Sequence, residues 1–409
     1  MEQIEGLAAF EKANWLNRRC RSIVHSVFEK LSYGQLEVVE GTTHLLFPQS
    51  TNDEPSIKGK IHIHHASVYQ DFVKGGSIGV AEAFIDGKWS SPDLTSVIRI
   101  FAKAQQQADE FDKKKSWLNK IKNSFFHWQN RNSQSGSKRN ILAHYDLGNE
   151  LYTRFLDPEM MYSSAIYPTE ESTLAEAQLH KLETICQKLE LTTEDHLLEI
   201  GTGWGGLAIY AAQNYGCKVT TTTISNAQFD YANERVNQLG LADKITLLKK
   251  DYRDLTGTFD KVVSIEMIEA VGFEFLPSFF QQCNNRLKTG GKLLIQSITI
   301  ADQRFDSYKN NVDFIQRYIF PGGFLPSITV LSQHITQHSS MTIESLNDIG
   351  LDYAKTLADW RTGFLSKWTE LTEVGYDEEF KRLWLYYLAY CEGAFLERAT
   401  STIHLVARK

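Results

Sequence analysis

The hydrophobic pattern of the chain changes near residue 141. From there on, short apolar runs alternate with segments in which apolar positions recur at helical spacing. Strands that alternate with helices in this way predict a doubly wound parallel sheet, so we assign residues 141–409 to one α/β domain. The runs that predict its strands are "HLLEIG", "CKVTTTTI", "KITLLKKD", "FDKVVSIEM" and "GGKLLIQSITI".

The first part of the chain has a different pattern. A helical segment ends near Lys30, short alternating strands such as "HLLF" and "GKIHIHHASVY" follow, and a helical tract runs from Pro92 to about Ala108. This mixture predicts a small α+β domain over residues 1–127. The polar stretch "NRNSQSGSKRN" predicts a linker, which we place at residues 128–140.

Composition narrows the class of protein. The 409 residues are 42% hydrophobic, as in globular proteins, and the net charge of −7 argues against a general nucleic-acid-binding protein. The five cysteines are scattered and form no C-x-x-C pair, so we expect neither a disulfide framework nor a metal site. No apolar run approaches the roughly 18 residues of a spanning helix, and the N-terminus lacks a signal-peptide pattern. We therefore expect a cytoplasmic protein with peripheral membrane contact.

One segment could supply that contact. Residues 112–131, "DKKKSWLNKIKNSFFHWQNR", carry six basic residues and one acid, with aromatic residues at helical spacing. This pattern is typical of a helix that lies on the inner face of an anionic membrane. The alternative is an amphipathic helix that packs its aromatic residues on the catalytic domain.

The stretch "LLEIGTGWGGLAIYAA" carries a glycine-rich loop. Gly201, Gly203 and Gly206 match G-x-G-x-x-G, which binds dinucleotides when an acid follows about 20 residues later. The second strand instead ends in "TTTTISNAQ", without an acid or an arginine. S-adenosylmethionine (SAM) is therefore favoured over NAD. The residues expected to contact SAM are Glu199, the loop glycines Gly201, Gly203 and Gly205, and Asp251 with Tyr252, where Asp251 accepts from the adenine amino group.

Six motifs together resemble the cyclopropane-fatty-acyl-phospholipid synthase family. They are "HYDLGNELYTRFLDPEMMYSSAIYP" (144–168), the glycine loop with Trp204, "TISNAQ" (223–228), "DYRDL" (251–255), "MIEAVG" (267–272) and "RYIFPGGFLPS" (317–327). In addition, "GVAEAFIDGKW" (79–89) resembles the N-terminal lipid-binding domain of that family. The resemblance implies a Rossmann-like class I SAM methyltransferase fold behind a small α+β lipid-binding domain.

The resemblance also implies an activity. Members methylate the cis double bond of an unsaturated membrane phospholipid with SAM, and a bound bicarbonate removes a proton to close a cyclopropane ring. Carried over to this chain, it adds SAM contacts at Tyr162, Ser163, Trp204, Thr223 and Gln228. It places the bicarbonate at Glu269, Tyr353 and the backbone of Ile298, with Glu266 as a competitor of Glu269.

The chain departs from the family at two bicarbonate positions. Ser164 stands where the family has a cysteine, and Gln296 where it has a histidine. A hydroxyl and an amide can still hold an anion, but a titratable histidine is lost. Cys391 matches a cysteine once proposed as a nucleophile, although packing in a helix explains it better. Two alternatives stay open: a branched or methylene product, and an inactive lipid-binding relative. A homodimer also stays open.

Overall fold

A computed structural model describes residues 14–49, 54–111 and 148–409. The predicted linker and the basic segment 112–131 lie outside the described residues. The described chain forms two compact units. The first contains the residues up to 111 together with Thr369–Ala399, and the second contains residues 148–368 together with Thr400–Lys409.

The first unit begins with a four-stranded sheet and three helices. The strand order is β2-β1-β3-β4, with β1 and β3 parallel. This arrangement confirms the predicted α+β character, although the pattern did not predict α2. The elements are α1 (Trp15–Phe28), β1 (Gln35–Glu40), β2 (Thr43–Phe47), β3 (Lys58–Ile63), α2 (Val68–Ile85), β4 (Trp89–Ser90) and α3 (Leu94–Phe111).

The second unit is built on a seven-stranded sheet of order β10-β11-β9-β8-β5-β6-β7. Neighbouring strands are parallel except that β11 runs antiparallel to β9 and β10. The first five strands are the predicted ones, which confirms the doubly wound sheet. The strands are β5 (His196–Ile200), β6 (Lys218–Thr222), β7 (Ile245–Leu248), β8 (Phe259–Ile265), β9 (Leu287–Ile300), β10 (Thr342–Asp348) and β11 (Thr400–Arg408).

Local sequence explains where several helices of this unit begin. Thr173 and Glu176 form a reciprocal capping box at the start of α5, and Ser225 caps α7 by accepting from the Gln228 N–H. Among the described helices, none combines the length and apolar character that crossing a membrane requires. The helices are α4 (Asn149–Tyr152), α5 (Leu174–Lys188), α6 (Gly206–Asn214), α7 (Asn226–Gln238), α8 (Leu276–Arg286), α9 (Phe305–Lys309), α10 (Ile328–His338) and α11 (Gly350–Ser366).

The central strands are apolar on both faces. In β5, Leu197 and Leu198 are both fully buried but belong to different hydrophobic clusters, and Val262 and Val263 of β8 divide in the same way. Successive side chains of a strand point to opposite faces, so a sheet covered on both sides needs continuous apolar runs. This is why the predicted strands read as runs rather than as alternations.

The segment after α11 corrects the predicted domain boundary. Helices α12 (Trp368–Glu373) and α13 (Glu378–Leu396) come between α11 and β11 in the chain. Helix α13 packs on α2 and α3, and the Thr95 hydroxyl donates to Glu392 at 2.9 Å. Residues 369–399 therefore belong to the first unit, not to a continuous domain over 141–409. Burial of the apolar face of α13 against distant helices gave no signal in the local pattern.

Candidate functional site

The glycine loop connects β5 to α6 and leaves open space in front of its backbone. Gly203 has a φ of +53°, and a Cβ added there would meet nothing within 4 Å. Helix α6 begins at Gly206, so its first N–H groups face the same loop. A backbone that accepts close approach beside a helix N-terminus fits the carboxylate-bearing amino-acid part of SAM.

Glu199 lies at the end of β5 with its side chain buried. The Thr221 hydroxyl donates to Glu199 Oε2 at 2.6 Å, and Thr221 is in turn 2.7 Å from the Thr202 hydroxyl. Burial raises the pKa of Glu199 to about 8, and the Thr221 hydrogen bond opposes this shift. The carboxyl is thus held at the end of β5 by Thr221, and its contact with SAM stays a prediction.

The raised pKa of Glu199 makes the stability of the ligand-free protein depend on pH. The folded-state pKa of about 8 lies above the ordinary value of 4.5, so stabilisation from the protonated carboxyl is present below pH 4.5 and is lost as pH rises through 8. The free energy of unfolding of Glu199→Gln, relative to that of wild type, should rise by about 4 kcal/mol between about pH 5 and pH 9. Urea unfolding at both pH values measures this. The exposed Glu194→Gln serves as control, and an equal effect of both substitutions at both pH values would contradict the assignment.

The segment "TISNAQ" places hydroxyl and amide side chains at the end of β6. The Thr223 hydroxyl donates to Gln228 Oε1 at 3.0 Å, and Ser225 Oγ accepts from the Gln228 backbone N–H at 3.3 Å. The first bond fixes the amide and leaves Gln228 Nε2 as a donor. This arrangement can serve ribose hydroxyls without an acid.

After β7, Asp251 is already engaged. Its two carboxylate oxygens accept from the Arg253 guanidinium at 2.8 and 2.7 Å, and Oδ1 also accepts from the Arg253 N–H at 3.0 Å. A carboxylate has about four acceptor positions, so the predicted adenine contact requires Asp251 to bond both groups. The adjacent Tyr252 hydroxyl is buried and has no hydrogen-bond partner in the described part of the chain.

An aromatic cluster lies between the glycine loop and α11. Tyr162 stacks on Trp360 with ring centroids 5.1 Å apart, and Tyr152 lies 5.0 Å from Tyr162 and 4.9 Å from Trp204. Trp204 Nε1 donates to Asn149 Oδ1 at 2.9 Å. The predicted contacts Tyr162 and Trp204 therefore occupy one cluster, to which the sequence had not assigned Tyr152 or Trp360.

Glu266 follows β8 and is surrounded by donors from three distant segments. Its carboxylate accepts from the Ser164 N–H at 2.9 Å, from Gln296 Nε2 at 2.7 Å and from the Tyr353 hydroxyl at 2.7 Å. Burial raises the pKa of Glu266, while these three donors and the Lys181 charge lower it. Three of the residues predicted to hold an anion thus converge on the carboxylate that the sequence treated as a competitor.

Glu269 lies one short turn further along. Its Oε1 accepts from the Ile298 N–H at 2.6 Å, and its Oε2 is buried without a hydrogen-bond partner among the described residues. Burial, followed by the charge of Glu266, raises the pKa of Glu269 to about 8. Of the three groups that the resemblance assigns to bicarbonate, Glu269 and the Ile298 N–H bond each other, and Tyr353 bonds Glu266.

A second layer orients Gln296. His404 Nε2 lies 2.9 Å from Gln296 Oε1, and Lys188 Nζ lies 3.1 Å from His404 Nδ1. Because an ammonium only donates, Nδ1 accepts and Nε2–H donates to the amide oxygen. The Gln296 amide nitrogen must then point to Glu266. Burial and the charge of Lys188 lower the pKa of His404 to about 3, so the His404 imidazole stays neutral.

Lys181 is the charged residue that sequence reasoning missed. Its ammonium is fully buried and donates to Ser163 Oγ at 2.8 Å, and burial lowers its pKa to about 8 against the charges of Glu266 and Asp157. The signal was available, since Lys181 stands midway between Ala177 and Ile185 on the apolar stripe of α5. A lysine is almost never fully buried unless its charge is paired, so a lysine at such a position indicates a functional role.

Cys391 does not belong to the unit that contains these residues. It is on α13, in the first unit, whereas both carboxylates and the glycine loop belong to the second. Its predicted role and the ligand contacts of the other residues stay predictions.

Comparison with known proteins agrees with this geometry. The model of the mycolic acid cyclopropane synthetase family matches residues 132–405. The tuberculostearic acid methyltransferase UfaA1 of Mycobacterium tuberculosis is 38% identical over 78% of this chain and 76% of its own. The cyclopropane-fatty-acyl-phospholipid synthase of Escherichia coli K12 is 37% identical over 84% of this chain and 86% of its own.

A solved structure shows the same likeness. The mycolic acid cyclopropane synthase CmaA1, complexed with S-adenosylhomocysteine (SAH) and CTAB, matches with a TM-score of 0.62 and 26% identity. The match covers 66% of this chain and 98% of that one. The second unit is therefore a class I SAM methyltransferase fold.

Proposed function

This chain belongs to the mycolic acid cyclopropane synthetase family, and from that premise we propose that it converts the cis double bond of a phospholipid acyl chain to a cyclopropane. The observation that carries the proposal is the pair of buried carboxyls, Glu266 and Glu269, next to the aromatic cluster. Tyr353 connects the carboxyls to the aromatic cluster, because its hydroxyl bonds Glu266 and its ring is perpendicular to that of Trp360, with ring centroids 6.1 Å apart.

These groups suit a reaction that passes through positive charge. When bound, SAM supplies an electrophilic methyl group on a sulfonium, and its attack on an alkene leaves a cationic carbon. The faces of Tyr162 and Trp360 stabilise a cation, and buried negative charge does so more strongly where water is excluded. Trp360 and the Glu269 Oε2 atom are buried, and Tyr162 and Glu266 are partly buried, which limits the access of water to a cation.

Residues of the glycine loop and β6 orient the methyl donor in this proposal. Gly203 admits the amino-acid part, Gln228 Nε2 reaches the ribose, and Asp251 accepts from adenine while paired with Arg253. An intact set of such groups supports turnover rather than lipid binding alone.

A second product follows from the same methyl transfer. The named relatives differ in product, one being a cyclopropane synthase and another a tuberculostearic acid methyltransferase. Loss of the proton after a hydride shift would give a methylene branch instead of a ring. Ser164 and Gln296, which differ from the family pattern, lie at the carboxylate that would control this step.

Lipid analysis after incubation with SAM tests the proposal. The purified chain is mixed with vesicles of dioleoyl phosphatidylglycerol, and acyl chains are examined by mass spectrometry and proton NMR. We expect a gain of one methylene mass and upfield cyclopropane resonances. An olefinic methylene signal would favour the branched product, and SAM binding without any mass gain would leave only a lipid-binding protein.

We further propose that residues 112–131 bring the enzyme to an anionic membrane surface. Each basic residue near such a surface contributes roughly 1 kcal/mol at low salt. Changing Lys113, Lys114 and Lys115 to Glu should therefore weaken vesicle sedimentation at least about tenfold, and salt should reduce the difference. SAM affinity should not change. Binding to anionic vesicles equal to that of wild type would place the membrane contact elsewhere.

A further inference from the structure

We propose that the Glu266 carboxylate is this protein's own proton acceptor and stands where the family resemblance places bicarbonate. The inference rests on the proposed function, since it assigns a residue to the proton that alkene methylation releases. It replaces the sequence-based expectation of an external anion held by Glu269, Ile298 and Tyr353.

The donors expected for bicarbonate are already bonded to protein carboxyls. Gln296 Nε2 and the Tyr353 hydroxyl bond Glu266, and the Ile298 N–H bonds Glu269. A further anion would have to break these bonds and lie beside the ionised Glu266 carboxylate, whose charge repels it. The residues present therefore do not fit bicarbonate.

Ser164 contributes in a way that its side chain did not predict. Its hydroxyl turns away and donates to the Ala165 carbonyl at 3.0 Å, while its backbone N–H bonds Glu266. The position needs no thiol or hydroxyl to hold the carboxylate, which accounts for the tolerated departure from cysteine.

The backbone at Glu266 is strained in order to present this side chain. Its φ is +47°, which a residue with a Cβ adopts at a cost of about 1–2 kcal/mol. The backbone N–H of Glu266 bonds the Gln296 carbonyl at 2.9 Å, so backbone and side chain are both fixed to the same strand. Such strain persists only where the surroundings over-determine it, and it gathers at functional sites.

The surroundings of the two carboxyls favour ionisation of Glu266 and protonation of Glu269. The Glu266 carboxylate accepts three hydrogen bonds and is attracted by the charge of Lys181. The Glu269 carboxyl accepts one, from the Ile298 N–H at 2.6 Å, and the charge of Glu266 opposes its ionisation. Glu266 is therefore the ionised partner, as a proton acceptor must be, and Glu269 holds the proton in the ligand-free protein.

The proposed step balances without a further reagent. The alkene π pair forms a C–C bond to the methyl carbon, and the S–C bond breaks with its electron pair left on sulfur. A proton then leaves the added methyl group for the Glu266 carboxylate, and the C–H pair closes the ring. A methylene product releases one proton in the same way, so the assignment does not depend on the product.

Glu266→Gly gives a direct test, because glycine accepts the positive φ and leaves a space framed by Ser164, Gln296 and Tyr353. Titration calorimetry with about 10 mM bicarbonate should show no binding to wild type and saturable binding to the variant, in the millimolar range or tighter. In carbon-dioxide-free buffer, wild-type turnover on dioleoyl phosphatidylglycerol vesicles should not change. The variant should lose at least about a hundredfold and recover at least about tenfold with bicarbonate.

Glu190→Gly is the matched control. Glu190 also has a positive φ, +55°, but its carboxylate pairs with Lys292 at 2.6 Å and Arg408 at 3.5 Å rather than with the groups that bond Glu266. The same substitution should there change neither bicarbonate binding nor turnover. A general effect of glycine on the fold would appear in both variants.

Calorimetry with bicarbonate and the turnover assay test the assignment of Glu266 and the proposed function separately. Saturable bicarbonate binding to wild type, or a tenfold loss of wild-type turnover without bicarbonate, would overturn the assignment of Glu266. The expected calorimetry together with no methyl transfer to any unsaturated phospholipid would support Glu266 as the occupant of the anion position and overturn the proposed function.

Discussion

Gly203→Val is expected to lower SAM affinity at least about a hundredfold, a loss of roughly 2.7 kcal/mol. The space in front of Gly203 is empty of protein atoms within 4 Å of an added Cβ. A branched side chain would therefore fold into that space without meeting the protein and would meet the ligand instead. Calorimetry with SAM and with SAH measures the effect, and Gly203→Ala should fall between wild type and Val.

Gly240→Val controls for backbone strain. Gly240 has a φ of +67°, close to the +53° of Gly203, and an added Cβ there also meets nothing within 4 Å. The left-handed conformation should cost both valine variants about 1–2 kcal/mol of stability. Only Gly203→Val should lose SAM. Equal SAM affinity in the two variants would remove the loop from the cofactor site.

Glu269→Gln is expected to lower turnover at least about tenfold, or roughly 1.4 kcal/mol of barrier, with SAM affinity nearly unchanged. Gln keeps the volume and an oxygen to accept from the Ile298 N–H, so the turn at Ile268–Ala270 should keep its shape. What is lost is the negative charge that the carboxyl can carry when positive charge develops on the acyl carbon in the transition state. Preorganised charge of this kind acts on the cationic transition state rather than on binding.

Single-turnover kinetics with phospholipid vesicles separates these effects. Glu274→Gln is the control, because Glu274 lies on the same segment but is exposed. Its turnover should equal that of wild type. Full activity of Glu269→Gln would remove this carboxyl from the mechanism, whereas a loss confined to SAM affinity would make it a cofactor ligand.

Local sequence determined the framework of the catalytic unit. Five strands, the loop between β5 and α6 and the caps of α5 and α7 follow from side-chain period, glycine and hydroxyl positions within a few residues of each other. The absence of an acid after β6 likewise favoured SAM over NAD, because a few residues at the end of that strand distinguish the two kinds of cofactor site. These features depend on neighbours in sequence, which is why they could be read without a structure.

Tertiary structure alone decided which carboxyl stands at the centre of the site. Glu266 and Glu269 are three residues apart, and the groups that distant segments bring to them separate their roles. Ser164, Gln296 and Tyr353 meet at Glu266 because α11 and β9 pack beside the end of β8. Tertiary packing likewise decided that α13 belongs to the first unit. Contacts between residues a hundred positions apart depend on how elements pack, and no local periodicity encodes that.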